Sequence, residues 1–184
     1  AGNGADTVRR VKDPSSLASL CAGIGILHPE IRFDAPDDRQ DWLTKVPGGA
    51  GGSHVRLAAS AGPFPPGSYF QRHVAGIGLS ALFLADRGGA YIVGYSRQWP
   101  SPSMGSPFRY GGAVRLPRLP RAKGAKISRW LNDIVARTGL VGLCSADFID
   151  GPEGTFLLEI NPRPGATLDI FDGDDTPLLT QHLR

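Results

Sequence analysis

A carboxylate, a carboxamide and a guanidinium stand together at the end of a short apolar run. Glu159 lies within the run Leu157–Ile160, and Asn161, Pro162 and Arg163 follow directly. In a strand, Glu159 and Asn161 would point to the same face because side chains alternate with period two. Two neighbouring oxygen ligands suit a hard cation such as Mg²⁺, and an arginine fork can hold phosphate or carboxylate. The alternative is a strand end with ordinary surface polar residues.

A second carboxylate, Asp147, lies in the apolar run 143–149, before Glu159. The segment Asp150–Gly154 between the two runs is rich in turn-forming residues. The pattern therefore predicts a β-hairpin whose strands carry Asp147 and Glu159. Without a bound cation, two acids so close in a half-buried hairpin would repel each other, or one would stay protonated.

The loop length of this hairpin decides whether the two acids share a face. We expect an odd loop, three or five residues centred on Pro152, which places Leu157 opposite Asp147. Residues 147, 157, 159 and 161 then face the same side, with Asp147 and Glu159 as diagonal neighbours. An even loop would turn Asp147 to the other face. On the odd register, the predicted metal ligands are Asp147, Glu159 and Asn161.

A glycine-rich loop, Pro47–Ser53, is the second feature with chemical potential. It holds four glycines in five residues, so backbone N–H groups can approach a phosphate closely. Lys45 stands just before it, at the end of a predicted strand, and is a point charge suited to phosphate. The loop lacks a Walker ending, and His54 stands where a dinucleotide fold has its third glycine. The alternative is a flexible hairpin tip beside a surface lysine.

The composition narrows the functional classes. The 184 residues are 41% hydrophobic and 20% charged, with a net charge of +3, which is typical of an ordinary globular protein. No basic run is interleaved with aromatic residues, so we expect no nucleic-acid partner. No apolar run is long enough to span a bilayer, and a cytoplasmic location without membrane contact is the default expectation. Cys21 and Cys144 lie in apolar segments and are expected to be buried free thiols.

The hydrophobic periodicity predicts helices mixed with antiparallel strands, which is the α+β class. Asp13 can cap a helix that has Pro14 at its first position, and Lys126–Arg137 is the clearest amphipathic helix. Strands are predicted at 41–46, 54–58, 69–74, 79–84 and 90–95, and a long loop at 100–112. Asp86–Gly89 is the predicted turn between the last two strands.

The polar start of the chain, without an initiator methionine, predicts a piece of a longer protein. We divide the sequence into three regions. Residues 1–41 are an N-terminal helix and connector, residues 42–99 are a lobe with the glycine loop, and residues 100–184 are a lobe with the acidic hairpin.

Taken in order, these motifs resemble the ATP-grasp superfamily. Trp42–Lys45 followed by Gly48–Gly52 is similar to its phosphate-binding lysine and flexible loop, and Tyr69–Gly76 resembles the hinge that meets adenine. The acidic hairpin resembles its metal-binding hairpin. The resemblance covers roughly residues 10 to 172. Gly76–Ser80 is similar to a small branch that includes tyramine–glutamate ligase and enzymes linked to pterin and furan C1-carrier synthesis.

The resemblance implies two α+β lobes that grip ATP, with a further N-terminal domain before Ala1. It implies that Mg²⁺, with Mn²⁺ as the alternative, binds Asp147, Glu159 and Asn161, and that Arg163 and Lys45 are catalytic. The implied nucleotide-binding residues are Lys45, Gly48, Gly49, Gly51, Gly52, Ser53, Gln71, Arg72, His73 and Val74. This sequence departs from the family at Gln71 and Gly78, where acids usually meet the adenosine.

The activity implied by the resemblance is the ATP-dependent joining of a small-molecule carboxylate to an amine. It proceeds through an acyl phosphate and releases ADP, and cofactor biosynthesis is one expected setting. Such phosphoryl transfer needs positioning and charge neutralisation more than covalent help from the protein. The main alternative is a nucleotide-binding regulatory module without turnover, and a third is phosphate transfer that forms no amide. A homo-oligomer stays open.

Overall fold

The computed structural model describes residues 2–60, 63–173 and 177–182. The helices are α1 (Ala5–Lys12), α2 (Pro14–Gly23), α3 (Arg121–Thr138) and α4 (Leu178–His182). The strands are β1 (Ile31–Arg32), β2 (Trp42–Lys45), β3 (Arg56–Leu57), β4 (Tyr69–Arg72), β5 (Ile77–Asp86), β6 (Gly89–Pro100), β7 (Tyr110–Leu116), β8 (Gly142–Gly151) and β9 (Gly154–Asn161). They form two antiparallel sheets, which confirms the predicted α+β class.

The first sheet has the strand order β1-β4-β2-β3. Its β2 and β4 confirm the predicted strands at 41–46 and 69–74 with slightly tighter bounds. All four residues of β2 are buried, and Trp42 and Phe70 pack together with Ala58. The predicted strand at 54–58 shortens to β3 because Ala58 already begins a 3-10 turn. Lys45 is therefore held at the end of a buried strand, directly before the glycine loop.

The second sheet has the order β7-β6-β5-β8-β9. Its β5 and β6 form the predicted hairpin, and β5 also pairs with β8. The chain passes from the first sheet to the second between Arg72 and Ile77. The predicted loop at 100–112 is wrong at both ends. Backbone pairing of β6 with β7 extends through Pro100 and resumes at Tyr110, because Gly112 lets the strand lie against the Trp99 ring. The loop itself covers residues 101–109.

The long helix α3 packs on one face of this second sheet. Its buried side chains are Ile127, Trp130, Leu131, Ile134, Val135 and Thr138, so the predicted apolar stripe is confirmed. The helix begins at Arg121 rather than Lys126 because an ion pair between Lys123 and Asp150 fixes its first turn. It ends at Gly139, whose φ of 71° suits glycine.

The acidic hairpin has a shorter loop than we predicted. Gly151 pairs with Gly154, so the loop consists of the two residues Pro152 and Glu153. The predicted odd loop is therefore wrong. In a regular hairpin, this even loop would turn Asp147 away from the face that carries the other ligands.

A β-bulge restores the shared face. Phe148 pairs with Leu157, whereas Asp147 pairs with Glu159, so Leu158 is an extra residue in β9. Asp147 and Glu159 are thus directly opposite rather than diagonal. Leu157 is fully buried in the core under α3, which corrects its predicted place beside the acids.

Helix α1 was not predicted, because the predicted N-terminal helix, capped by Asp13, is α2. Asn3 anchors its start, since its amide donates to Val141 O at 2.9 Å and to Pro162 O at 3.0 Å. Val11 at its end is completely buried. Asp13 then caps α2 by accepting from the backbone N–H of Ser16 at 2.8 Å, which confirms the predicted cap.

Burial of the two cysteines follows the prediction. Cys21 and Cys144 are buried and free, and desolvation raises the pKa of each thiol to about 12. Neither thiol is therefore suited to nucleophilic chemistry. Among the residues that the structure describes, no helix is long and apolar enough to cross a membrane.

Candidate functional site

A cleft of about 850 Å³ lies between the two sheets. The first sheet contributes the lysine, the glycine loop and the hinge, and the second contributes the acidic hairpin. The predicted site residues that line the cleft are Lys45, Gly48, Gly49, Gly51, Gly52, Gln71, Arg72, His73, Val74, Asp147, Glu159, Asn161 and Arg163. Segments far apart in sequence therefore meet in one cavity. Its volume is within the range of small-molecule sites.

Lys45 is held by a neutral partner in the floor of the cleft. Its Nζ donates to Gln71 Oε1 at 2.7 Å, and only 9% of Lys45 and 2% of Gln71 are exposed. Burial lowers the pKa of Lys45, while the more distant carboxylates Glu159 and Asp147 raise it. Within the described part of the chain, no carboxylate contacts Lys45 directly, so this buried ammonium can bind an anion that enters the cleft.

Three oxygen-bearing side chains converge on the opposite wall. Asn161 Nδ2 donates to Asp147 Oδ2 at 3.1 Å, and Asp147 stands directly across the hairpin from Glu159. Gln98 on β6 also donates to Asp147, at 3.4 Å. The three predicted metal ligands therefore share one face of the sheet, as expected, although the bulge rather than the loop puts them there.

Burial and the neighbouring carboxylate change the protonation of Asp147. Desolvation first, and then the charge of Glu159, raise the pKa of Asp147 to about 6. Hydrogen bonds from Ser80 and Gln98 and the charge of Lys12 act in the opposite direction. A cation between the two acids would remove this repulsion.

Lys12 is a site residue that the sequence did not reveal. Its Nζ donates to Glu159 Oε1 at 2.5 Å and to Asn161 Oδ1 at 3.2 Å. The residue belongs to α1, an eight-residue helix in a polar segment, which is too short to stand out by periodicity. The spacing of Val8 and Val11 was the one signal that could have pointed to it.

The ligand atoms present are all of the oxygen type that a divalent cation prefers, but three side chains supply only part of its coordination shell. Glu159 Oε1 and Asn161 Oδ1 already converge on one positive group, the Lys12 ammonium. Within the described residues, no cluster of three or more His, Cys, Asp or Glu could hold a metal. Two carboxylates and one amide oxygen suit Mg²⁺, which takes few protein ligands and completes its shell with water and phosphate.

The glycine flap, residues Gly48–Ser53, bridges the two sheets on one side of the cleft. The backbone N–H of Tyr110 donates to Gly51 O at 2.8 Å. A Cβ added to Gly52 would lie 1.9 Å from the carbonyl oxygen of Phe108, and its φ of 71° also favours glycine. Ser53 is absent from the cleft wall, and its hydroxyl donates to Ala50 O at 3.3 Å, so its nucleotide contact stays a prediction.

The predicted hinge follows β4 along the cleft. Arg72 is exposed, pairs with Asp41 at 3.3 Å and lies over the Trp42 ring. The His73 ring meets Phe108 edge-on, with centroids 5.9 Å apart. These contacts leave the hinge backbone of His73 and Val74 beside the cavity.

Arg163 lies at the end of the acidic strand and lines the cleft. It is exposed, and its Nη1 donates to the neighbouring carbonyl of Pro164 at 3.0 Å. Among the residues that the structure describes, this is the one hydrogen bond of the guanidinium, so most of its donors are available to an anion.

These features define a two-lobed protein with a cleft between two antiparallel sheets, with Lys45 on one wall and paired acids on the other. The model of the ATP-grasp domain family matches residues 27–167. The chain belongs to this family. No curated protein sequence matches the chain.

Solved structures share the fold at low sequence identity. The L-amino acid ligase from Bacillus licheniformis has a TM-score of 0.77 at 13% identity, over 100% of this chain and 49% of that one. The carboxyaminoimidazole ribonucleotide synthase from Aspergillus clavatus, complexed with ATP, has a TM-score of 0.77 at 12% identity, over 100% and 53%. The D-alanyl-alanine synthetase A from Vibrio cholerae has a TM-score of 0.69 at 13% identity, over 100% and 62%. The chain thus spans about half to three-fifths of these proteins.

Proposed function

We propose that the protein is an ATP-dependent carboxylate–amine ligase. The observation that carries this proposal is that the buried Lys45 and the glycine flap share one cleft with the paired carboxylates Asp147 and Glu159. A nucleoside triphosphate bound with Mg²⁺ needs positive charge at its phosphates and oxygen ligands for the metal, and this cleft offers both. The acids, Lys45 and the glycine flap supply the positioning and neutralisation that phosphoryl transfer requires.

The side chains divide the work in the proposed reaction. Lys45 and Lys12 would bind the inner phosphates, and the hinge at His73 and Val74 would meet the base. Bound to Asp147, Glu159 and Asn161, Mg²⁺ would neutralise charge on the β- and γ-phosphates. The amide of Gln71 keeps Lys45 in place without competing for the phosphates as a carboxylate would.

The proposed product of the first step is an acyl phosphate, formed when the substrate carboxylate attacks the γ-phosphorus and ADP leaves. Arg163, with free donors at the cleft, would hold the transferred phosphoryl group. The amine then attacks the acyl carbon, and phosphate leaves. The glycine flap would exclude water, which matters because hydrolysis of the acyl phosphate wastes ATP.

The finer setting is also part of the proposal. The pattern Gly76–Ser80 favours the small branch that includes tyramine–glutamate ligase and cofactor-synthesis enzymes. We therefore expect small-molecule carboxylate and amine substrates and a role in cofactor biosynthesis in the cytoplasm. The chain spans only about half of the structures that it resembles, so the activity and its substrates are proposed for the protein as a whole.

A second candidate function, a nucleotide-binding regulatory module without turnover, is favoured by one observation. Lys12 forms a salt bridge with Glu159, at 2.5 Å, and so occupies a predicted metal ligand. If this pair persists with nucleotide bound, the acids would be unavailable to Mg²⁺.

The experiment that separates the two functions uses the full-length protein with MgATP and panels of acids and amines. Mass spectrometry would detect a new amide, and a coupled assay would detect ADP. The ligase proposal predicts both, and predicts that Glu159→Gln abolishes them while circular dichroism stays unchanged. Nucleotide binding without ADP release in any combination would favour the regulatory module.

A further inference from the structure

His54, the residue directly after the glycine flap, packs flat against the flap backbone. A Cβ added to Gly49 would lie 2.1 Å from Cγ and 2.4 Å from Nδ1 of the His54 ring. No side chain larger than hydrogen fits between them. The imidazole thus occupies the space that Gly49 leaves open, and this part of the flap is shaped around the ring.

The same ring lines a small polar recess under the flap. The recess has a volume of about 40 Å³, enough for one or two water-sized groups. Its charged and polar walls include Lys12, Lys45, His54, Gln71 and Glu159. Two lysines make it a site for an anionic oxygen rather than for an apolar group.

One nitrogen of the ring has unused hydrogen-bonding capacity. His54 Nδ1 is buried, and among the residues that the structure describes it has no hydrogen-bond partner. Buried polar atoms in native proteins nearly always have a partner, so such an atom calls for one. In a recess that holds two ammonium groups, the partner that fits is a negatively charged acceptor.

The charges around His54 favour a neutral ring. Burial, and then the positive charge of Lys45, lower the pKa of His54, and Lys12 acts in the same direction. The charge of Glu159 and hydrogen bonding to the backbone of Ala50 act in the opposite direction. A neutral imidazole still donates one hydrogen bond, and it does so without adding a third positive charge to the recess.

We propose that His54 is a phosphate-contacting residue of the flap, whose ring nitrogen donates a hydrogen bond to a phosphate oxygen of bound nucleotide in the recess beside Lys12 and Lys45. The inference rests on the proposed nucleotide function and adds the His54 side chain to the backbone groups that the flap offers to phosphate. Gly49 is required for this contact, because the absence of a side chain there leaves room for the His54 ring.

The test measures MgADP binding by calorimetry to the wild type, His54→Leu, His54→Asn and Gly49→Ala. We expect His54→Leu to weaken binding about tenfold or more, the usual effect of losing a hydrogen bond to a charged group. His54→Asn, which keeps a donor, should lose less, and Gly49→Ala should resemble His54→Leu. The matched control is Gly23→Ala, whose added Cβ meets nothing within 4 Å in α2, and it should bind like the wild type.

A second measurement needs no variant. In ¹⁵N NMR spectra of the wild type, MgADP should shift the ring nitrogens of His54. Those of His182, whose Nδ1 accepts from the Leu143 N–H at 2.9 Å, should stay in place. This spectrum keeps the proposal testable even if His54→Leu does not fold.

The outcomes separate the two proposals. A wild type that binds no MgADP overturns the nucleotide function and the role of His54 together. Normal binding with unshifted His54 nitrogens, or equal affinity in a folded His54→Leu, overturns the role of His54 alone.

Discussion

The negative charge of Asp147 is unfavourable in the folded protein, where β8 lies between β5 and β9. Its pKa rises to about 6, chiefly because of burial and then because of Glu159, whereas an unfolded chain has the ordinary aspartate value of about 3.9. The charged form is thus disfavoured in the folded state. This is the expected signature of a carboxylate that is kept for binding rather than for stability.

Replacing Asp147 by asparagine should therefore stabilise the metal-free protein, and only at higher pH. The free-energy cost of the Asp147 charge in the folded protein is absent below pH 4, where Asp147 is protonated in the folded and the unfolded protein. The cost is complete above pH 6. Allowing for solvent in the cleft, we expect a gain of about 1–2 kcal/mol in the free energy of unfolding at pH 7.5. Urea denaturation in EDTA at pH 4 and pH 7.5 measures it. An equal effect at both pH values would contradict the raised pKa.

Lys12 and Glu159 form the closest contact across the acidic wall. The 2.5 Å salt bridge and the Asn161 contact place the ammonium among the predicted metal ligands. If Lys12 binds phosphate when nucleotide enters, Lys12→Met should weaken MgADP binding about tenfold or more, through loss of a charge-assisted hydrogen bond.

The same variant shows whether Lys12 binds phosphate or only blocks the metal ligands. If Lys12 merely blocks the metal ligands, Lys12→Met should tighten MgADP binding instead. Calorimetry measures whether the MgADP affinity of Lys12→Met falls or rises. Arg10→Met is a suitable control, because Arg10 lies in the same helix and, among the described residues, its guanidinium donates to the carbonyl of Arg137 at 3.4 Å.

At the scale of elements, the glycine flap and the loop 101–109 hold each other across the cleft. Gly52 allows a contact with Phe108 that no other residue permits, since a Cβ there would lie 1.9 Å from its carbonyl oxygen. We predict that Gly52→Ala breaks this contact and lowers nucleotide affinity more than it lowers stability.

Limited proteolysis measures the effect on the flap. Gly52→Ala should be cleaved faster than the wild type within residues 48–53, and MgADP should protect it less. Ser53→Ala is the matched control for cleavage without nucleotide, because the Ser53 side chain is exposed and, among the described residues, its hydroxyl bonds to Ala50 of the same flap. Equal cleavage rates in Gly52→Ala and Ser53→Ala would show that the bridge to Phe108 is unimportant.

The same elements show what the sequence could and could not predict. Lys45 before the glycines and the alternating residues around Glu159 carry local signals, because strand period and turn chemistry act within a few residues. The bulge at Leu158 carries none, since an extra strand residue resembles any other apolar residue. The register of β9 is therefore set by its pairing with β8, and the local sequence pattern does not contain that information.

Helix α1 escaped prediction for a related reason. Its eight residues are too few for intrinsic helix stability, and its position depends on Asn3, which binds the strand ends at Val141 and Pro162. Lys12 is consequently a site residue that only tertiary structure brings to the acids.

For the whole molecule, the functional claim is that two sheets form one magnesium-dependent nucleotide site. The first sheet supplies Lys45 and the flap, and the second supplies Asp147, Glu159 and Asn161. Membership of the ATP-grasp domain family and the shared fold support the architecture. The proposed magnesium dependence would come from the paired acids, so it can be tested without knowing the substrates.

The most direct measurement is calorimetric titration of ADP into the wild type and Glu159→Gln, each with Mg²⁺ and with EDTA. We expect Mg²⁺ to tighten ADP binding to the wild type about tenfold or more, and Glu159→Gln to lose this gain while its affinity in EDTA changes little. Thermal melting should show both proteins folded. Equal magnesium dependence in the two proteins would contradict the assignment of the acidic hairpin as the metal-binding wall.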